Sequence, residues 1–261
     1  GLAQTPGVDS LTSGPLISLQ AEAGFLAVLQ HRIQFSRSGT YFSYVETGGQ
    51  DVLFPITRLS ASLTLARHTA ILLYQPLRLE TTSLLDQDLI IDSLPFPRGT
   101  PVHFLYNFPF YRASYLYKLV SGEQLDFSLG LTMQIRNATI TFESLNGELY
   151  RTNRDVGLVP ALKIYGEYRL NQRVWFALEA DGIYAPVSYL NGDDNDVTGA
   201  ILDASVRSGI NLRDQYDLFL NLRYLGGGAE GQSDDVDGPG DGYVKNWLNF
   251  FTVTLGFVYT L

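Results

Sequence analysis

Residues 17–35 alternate, almost without a break, between apolar and polar side chains, and this one run sets the class of fold. Ile17, Leu19, Ala21, Ala23, Phe25, Ala27, Leu29, His31, Ile33 and Phe35 share one parity; Ser18, Gln20, Glu22, Gln30, Arg32 and Gln34 share the other. A period of two marks a strand with two unlike faces. Ordinary strands run about five or six residues. A run this long suits a strand that crosses a bilayer at a tilt and continues beyond it.

The pattern recurs along the chain. Leu125, Phe127, Leu129, Leu131, Met133 and Ile135 alternate with Asp126, Ser128, Thr132 and Gln134; Leu218, Leu220, Leu222 and Tyr224 alternate with Asp217, Asn221 and Arg223. Ten strands are predicted, over 16–36, 51–66, 69–82, 102–118, 124–142, 156–170, 173–186, 197–212, 215–226 and 244–261. The fourth carries a change of parity after Phe104, Tyr106 and Phe108, for which a bulge at Pro109 is the expected cause. Connections alternate in length. Tight turns fall near Arg67, Gly122, Asn171 and Asp214, and long polar loops cover 37–50, 83–101, 143–155, 187–196 and 227–243. Short turns at one end and long loops at the other is the plan of a closed, all-β, antiparallel up-and-down transmembrane barrel.

Composition excludes the main alternatives. There is no cysteine, so no disulfide or thiolate-metal scaffold. The net charge of −9 and the lack of a basic stripe argue against nucleic acid as a partner. No apolar run is long enough for a membrane helix. Alternation alone fits both a soluble sandwich and a membrane barrel. Strand length, aromatic side chains closing the apolar rows (Tyr115, Tyr117, Tyr168, Tyr184, Tyr216, Tyr224, Tyr259) and charges of both signs on the opposite parity select the barrel.

The terminal stretch Phe251-Thr-Val-Thr-Leu-Gly-Phe-Val-Tyr-Thr-Leu261 resembles the last strand of a bacterial outer-membrane β-barrel protein, and the likeness of pattern covers nearly the whole chain. That resemblance implies a Gram-negative cell-envelope location with both termini periplasmic, a signal peptide, and a terminal signal (Phe257, Tyr259, Leu261) read by the barrel-assembly machinery. Such signals usually close with an aromatic residue, and Leu261 departs from this. Gly1-Leu2-Ala3-Gln4 reads as the tail of a signal peptide, residues 1–15 as a periplasmic segment and 16–261 as one barrel domain.

A barrel of about ten strands is narrow. The inward parity is predicted to carry a lumen charge network of Glu22, Arg58, Arg78, Glu80, Arg112, Asp126, Arg136, Lys163, Glu167, Glu179, Asp181, Asp203, Arg207 and Arg223, with Arg32 and bulky Tyr74, Trp175 and Phe219 beside it. Mixed signs in a confined space should pair, which favours a plugged lumen over a narrow channel for small polar solutes. A rim hydrolase resembling the omptins is a further alternative, for which Asp86, Asp88 and Asp92 near His103 are the candidates; no G-x-S-x-G motif is present. His31 falls on the lipid-facing parity. The acidic runs holding Asp193, Asp194, Asp196, Asp234, Asp235 and Asp237 are weak calcium candidates. No cofactor is expected. The function expected is that of a non-enzymatic structural or interaction barrel, porin-like in build. Its long outer loops contact partners, lipopolysaccharide or a larger outer-membrane complex. Residues 86–101 are expected to form a short loop strand or a lid over the mouth.

Overall fold

The computed structural model describes residues 14–186, 197–213, 215–232 and 240–261. Ten antiparallel strands close into a barrel: β1 (Leu16–Phe35), β3 (Leu53–Leu65), β4 (His68–Gln75), β9 (Phe110–Ser121), β10 (Leu125–Ser144), β11 (Tyr150–Arg169), β12 (Val174–Pro186), β13 (Thr198–Arg213), β14 (Tyr216–Gln232) and β15 (Tyr243–Thr260). β1 pairs with β15, which removes the sheet edge. Five smaller strands add an outer storey: β2 (Phe42–Ser43), β5 (Arg78–Leu84), β6 (Leu89–Ile91), β7 (Leu94–Phe96) and β8 (Pro101–Asn107). β5 pairs with β8, β8 pairs with the upper half of β10, and β6–β7 forms a separate hairpin.

The apolar rows face outward around the girth. Leu59, Leu131, Leu162, Leu178, Leu202, Leu220 and Leu255 are all exposed. An unbroken belt of this kind needs an apolar medium rather than water. Aromatic pairs border it near the short-turn end, where Tyr216 stacks on both Phe257 and Tyr259. The last residue closes the seam there: Leu261 N donates to Ile17 O at 2.8 Å.

Polarity reverses above the belt. Phe35, Phe42, Leu79, Leu89, Phe104, Phe142 and Phe250 turn inward and form one buried apolar cluster. The outer wall at that level carries Arg78, Glu80 and Thr82 instead. The β6–β7 hairpin sends Leu89, Ile91 and Phe96 into this cluster and covers the mouth.

This reversal corrects several sequence expectations. Phe104, Tyr106, Phe110 and Arg112 all point inward, so the fourth wall strand keeps its parity. No bulge lies at Pro109: Asn107 pairs with Thr139 and Phe110 with Arg136, three residues apart on both strands. The shift in β1 lies at Leu29 instead, between the Val28–Phe250 and Gln30–Asn249 pairs. One extra residue flips every side chain beyond it. His31 is therefore fully buried inside, and Arg32 points out. Arg78 and Glu80 are exposed on the outer storey, not in the lumen, because β4 breaks at Gln75-Pro76-Leu77 before β5 begins. Tyr74 also faces out, stacked on Tyr111 at 5.0 Å.

Candidate functional site: the lumen and the outer storey

The lumen is filled in three layers. At the short-turn end lie Trp175 and Phe219, with ring centroids 5.9 Å apart and Arg207 over the Phe219 face. Bare glycine backbone receives both rings. A Cβ on Gly209 would stand 2.2 Å from Trp175, and one on Gly256 would stand 2.1 Å from Phe219.

The middle layer is ionic. Lys163 Nζ lies 2.8 Å from Asp181 and also bonds Glu179, which accepts from Arg207 and lies 3.6 Å from Arg58. Asp203 accepts from both Arg112 and Arg223. Glu22 accepts from Asn221 at 2.8 Å and from Thr254 at 2.7 Å. The strand pairs create this mixture. β11 and β12 bring Lys163 opposite Asp181, and β13 sets Asp203 directly across from Asp181. Two adjacent carboxylates draw cations from across the lumen, and Arg112 on β9 reaches both. Lower down, Asp126 binds Lys118 at 3.0 Å and Arg169 at 2.8 Å, and Arg169 also meets Glu167. Arg136 pairs with Asp155 further toward the loops, where solvent reaches both. Charges sealed from water are tolerated only when paired and hydrogen-bonded, which each carboxylate of the central group achieves.

The outer storey forms the third layer, with His31 in its interior. His31 Nδ1 lies 2.7 Å from Gln50 Oε1, and its ring stacks on Tyr44 at 4.4 Å and meets Tyr106 edge-on. Sequence parity missed this group. Its only signal was the concentration of aromatic residues in 104–110, of which Phe104, Tyr106 and Phe110 are buried in this core.

The hydrolase candidates do not converge. Asp88 caps the Arg98 amide, Asp86 is exposed, and Asp92 is buried against Ser36 and Asn153. His103 instead lies 3.1 Å from Glu80. Glu80 is held below the ordinary carboxylate range by the hydrogen bond from Arg78. His68 contacts Tyr115 in the opposite rim. Among the described residues no cluster of His, Asp and Glu could hold a metal ion. The calcium candidates Asp193, Asp194, Asp196, Asp234, Asp235 and Asp237, and residues 1–13 with the supposed signal-peptide tail, lie outside the described residues.

Two grooves mark the outer wall above the belt. One, of about 420 Å³, is lined by Leu29, Gln30, Arg32, Ser43, Tyr224 and Asn249 among others. The other, of about 450 Å³, includes Arg37, Glu230, Tyr243 and Trp247. Their cations point away from the lumen, just beyond the apolar belt.

No protein-family model and no curated protein matches the chain. Solved structures do. The outer membrane protease OmpT of Escherichia coli aligns over 99% of this chain and 100% of its own, with a TM-score of 0.53 and 11% identity. This chain has the fold of a bacterial outer-membrane β-barrel. Looser matches are Ail, the attachment invasion locus protein of Yersinia pestis, and Neisserial surface protein A. Ail aligns at TM-score 0.40 and 11% identity, covering 94% of this chain and 99% of its own. The Neisserial protein aligns at 0.33 and 11%, covering 93% and 96%.

Proposed function

We propose that this outer-membrane barrel is a non-enzymatic scaffold and interaction protein whose lumen is sealed. The observation that carries this reading is the filling of the lumen: an aromatic floor, a complementary ionic layer and an apolar cap stacked on one axis. A selective pore would present one dominant sign along an open path. Here cations and carboxylates satisfy one another instead of a solute.

Both described chain ends lie at the short-turn end, joined through Leu261 and Ile17; by the usual plan of such barrels this end is periplasmic. Phe257, Tyr259 and Leu261 then stand where the assembly machinery reads a terminal strand. The long-loop end faces outward, and the loops and outer-wall grooves contact partners. Arg32 supplies a cation at the depth of anionic lipopolysaccharide headgroups, and among the described residues it makes no ion pair.

Conductance in a planar bilayer tests the sealed lumen. The wild-type chain is expected to give no steady single-channel steps. Regular steps would establish the narrow channel instead. Cleavage of a peptide library by the detergent-solubilised protein would establish the hydrolase.

A further inference from the structure

A row of paired positions runs along the outer wall from one groove into the other. Arg32 on β1 stands opposite Trp247 on β15, and Trp247 opposite Gly228 on β14. Gly228 stands opposite Ala200 on β13, and Ala200 opposite Tyr184 on β12. Directly paired residues share a face of the sheet, so the whole row points outward with Arg32. At ordinary strand spacing, Tyr184 and Trp247 leave the wall about 14 Å apart. Within the row only Ala200 and Gly228 lie between them. A β-carbon at Gly228 would run into the Asn246 carbonyl oxygen, so no side chain can fill the floor there. This gap is the groove of about 450 Å³ with Tyr184, Tyr243 and Trp247 on its walls, within the size range of small-molecule sites. Tyr184 is 76% exposed, a free-standing ring at its edge.

Polar side chains along the groove are held in place by one another. Glu230 accepts from Tyr243 Oη at 3.0 Å and from Lys245 Nζ at 2.9 Å. Arg37 lies over the Tyr243 ring and donates through Nη2 to Gln232 Oε1 at 3.1 Å. Gln232 Nε2 donates in turn to the Asp241 carbonyl at 2.8 Å. Side chains fixed before a ligand arrives spare it their ordering cost. Bonding capacity is left over in both senses. Among the described residues Arg37 Nη1 and Trp247 Nε1 donate to nothing, and each Glu230 oxygen keeps a second lone pair. The charges of the frame cancel, Arg37 and Lys245 against Glu230 and Asp241.

We propose that this groove binds a neutral hexose of lipopolysaccharide, beside the Arg32 groove that takes the anionic headgroup. The inference rests on the lipopolysaccharide contact proposed above and adds a sugar site to it. The negative face of an aromatic ring accepts the C–H face of a pyranose. Glu230 accepts from its hydroxyls, while Arg37 and Trp247 donate to them. An anionic ligand would meet Glu230 and a quaternary ammonium would meet Arg37, so the balanced frame selects an uncharged polyol. Position gives the source. The groove opens sideways on the wall just beyond the apolar belt, toward neighbouring lipid, and shares its row with Arg32.

The chain has two tryptophans, and Trp175 is packed against Phe219 in the lumen. In Trp175→Phe, Trp247 alone reports, and its emission in detergent can be followed as lipopolysaccharide is added. Lipopolysaccharide with core hexoses is expected to bind about tenfold more tightly than a deep-rough form, which keeps lipid A and its phosphates but lacks those hexoses. Ala200→Leu, which fills the floor, should erase that preference, and Tyr184→Ala should reduce it severalfold. Arg32→Ala should weaken both forms alike and leave the preference intact, so failure of the headgroup contact and failure of the sugar site read differently. Equal binding of the two forms by the parent protein would overturn the proposal, as would an unchanged preference in both folded groove variants. Maltotriose binding as tightly as the hexose-bearing form would assign the groove to free glycans and overturn the lipopolysaccharide source. If Ala200→Leu does not fold, Tyr184→Ala decides.

Discussion

The Phe219 ring lies flat against the backbone of Gly256, so close that a β-carbon there would stand 2.1 Å from the ring. Gly209 receives Trp175 in the same way. Gly256→Ala should therefore push Phe219 off its seat and lower stability by about 1–3 kcal/mol, the usual range for overpacking. Urea unfolding in lipid vesicles measures this. A neutral result would mean that the floor is loose.

Asp203 is the carboxylate shared by Arg112 and Arg223. Asp203→Ala leaves two buried guanidinium groups without this partner. The expected loss is about 3–5 kcal/mol, as for other broken buried pairs. Adding Arg223→Met should recover part of it, because one stranded cation goes. The same unfolding assay reads both, and a double variant no better than the single would show that Arg223 draws its support from Gln75 alone.

Asp241 joins two outer loops. Its carboxylate accepts from the Arg37 amide and from the Tyr243 amide, each at 3.0 Å, and these bonds hold it below the ordinary carboxylate range. A depressed folded-state pKa stabilises above the unfolded value of about 4, and the contribution fades as pH falls through the depressed value. Hydrogen-exchange protection at Arg37 and Tyr243, corrected for intrinsic rate, should hold from neutral pH down to about 4 and drop below it. Constant protection at pH 2 would contradict this.

Arg32 points away from the barrel beside Leu29 and Tyr224. If this groove meets lipopolysaccharide, Arg32→Ala should weaken binding to lipid A vesicles severalfold while leaving binding to phosphatidylethanolamine vesicles unchanged. Equal binding by both forms would remove Arg32 from the contact.

The period of two exposed the barrel because lipid imposes one rule on every strand within the belt. Leu131, Leu162 and Leu220 obey it wherever they sit in sequence. The same rule misplaced residues above the belt, where water lies outside and apolar side chains turn in. Phe104 and Tyr106 share the inward parity of Arg112 below them, but at their level the inward side chains are apolar instead of charged. His31 was lost to a single extra residue at Leu29, which only pairing with β15 reveals. Arg78 and Glu80 were misassigned because a proline break carries the chain from the wall into an outer hairpin. The ionic partners had no sequence spacing to betray them: Arg112 meets Asp203 across 91 residues.

The central claim is that the apolar rows face acyl chains while the charges are enclosed. Single cysteines in this cysteine-free chain, labelled with a fluorophore at Leu131, Leu162 or Leu220 and separately at Gln30 or Thr82, can be placed in vesicles of brominated lipid. The first three should be strongly quenched by mid-chain bromine and the last two hardly at all. Equal and weak quenching at all five positions, from protein that stays dispersed without detergent, would contradict it.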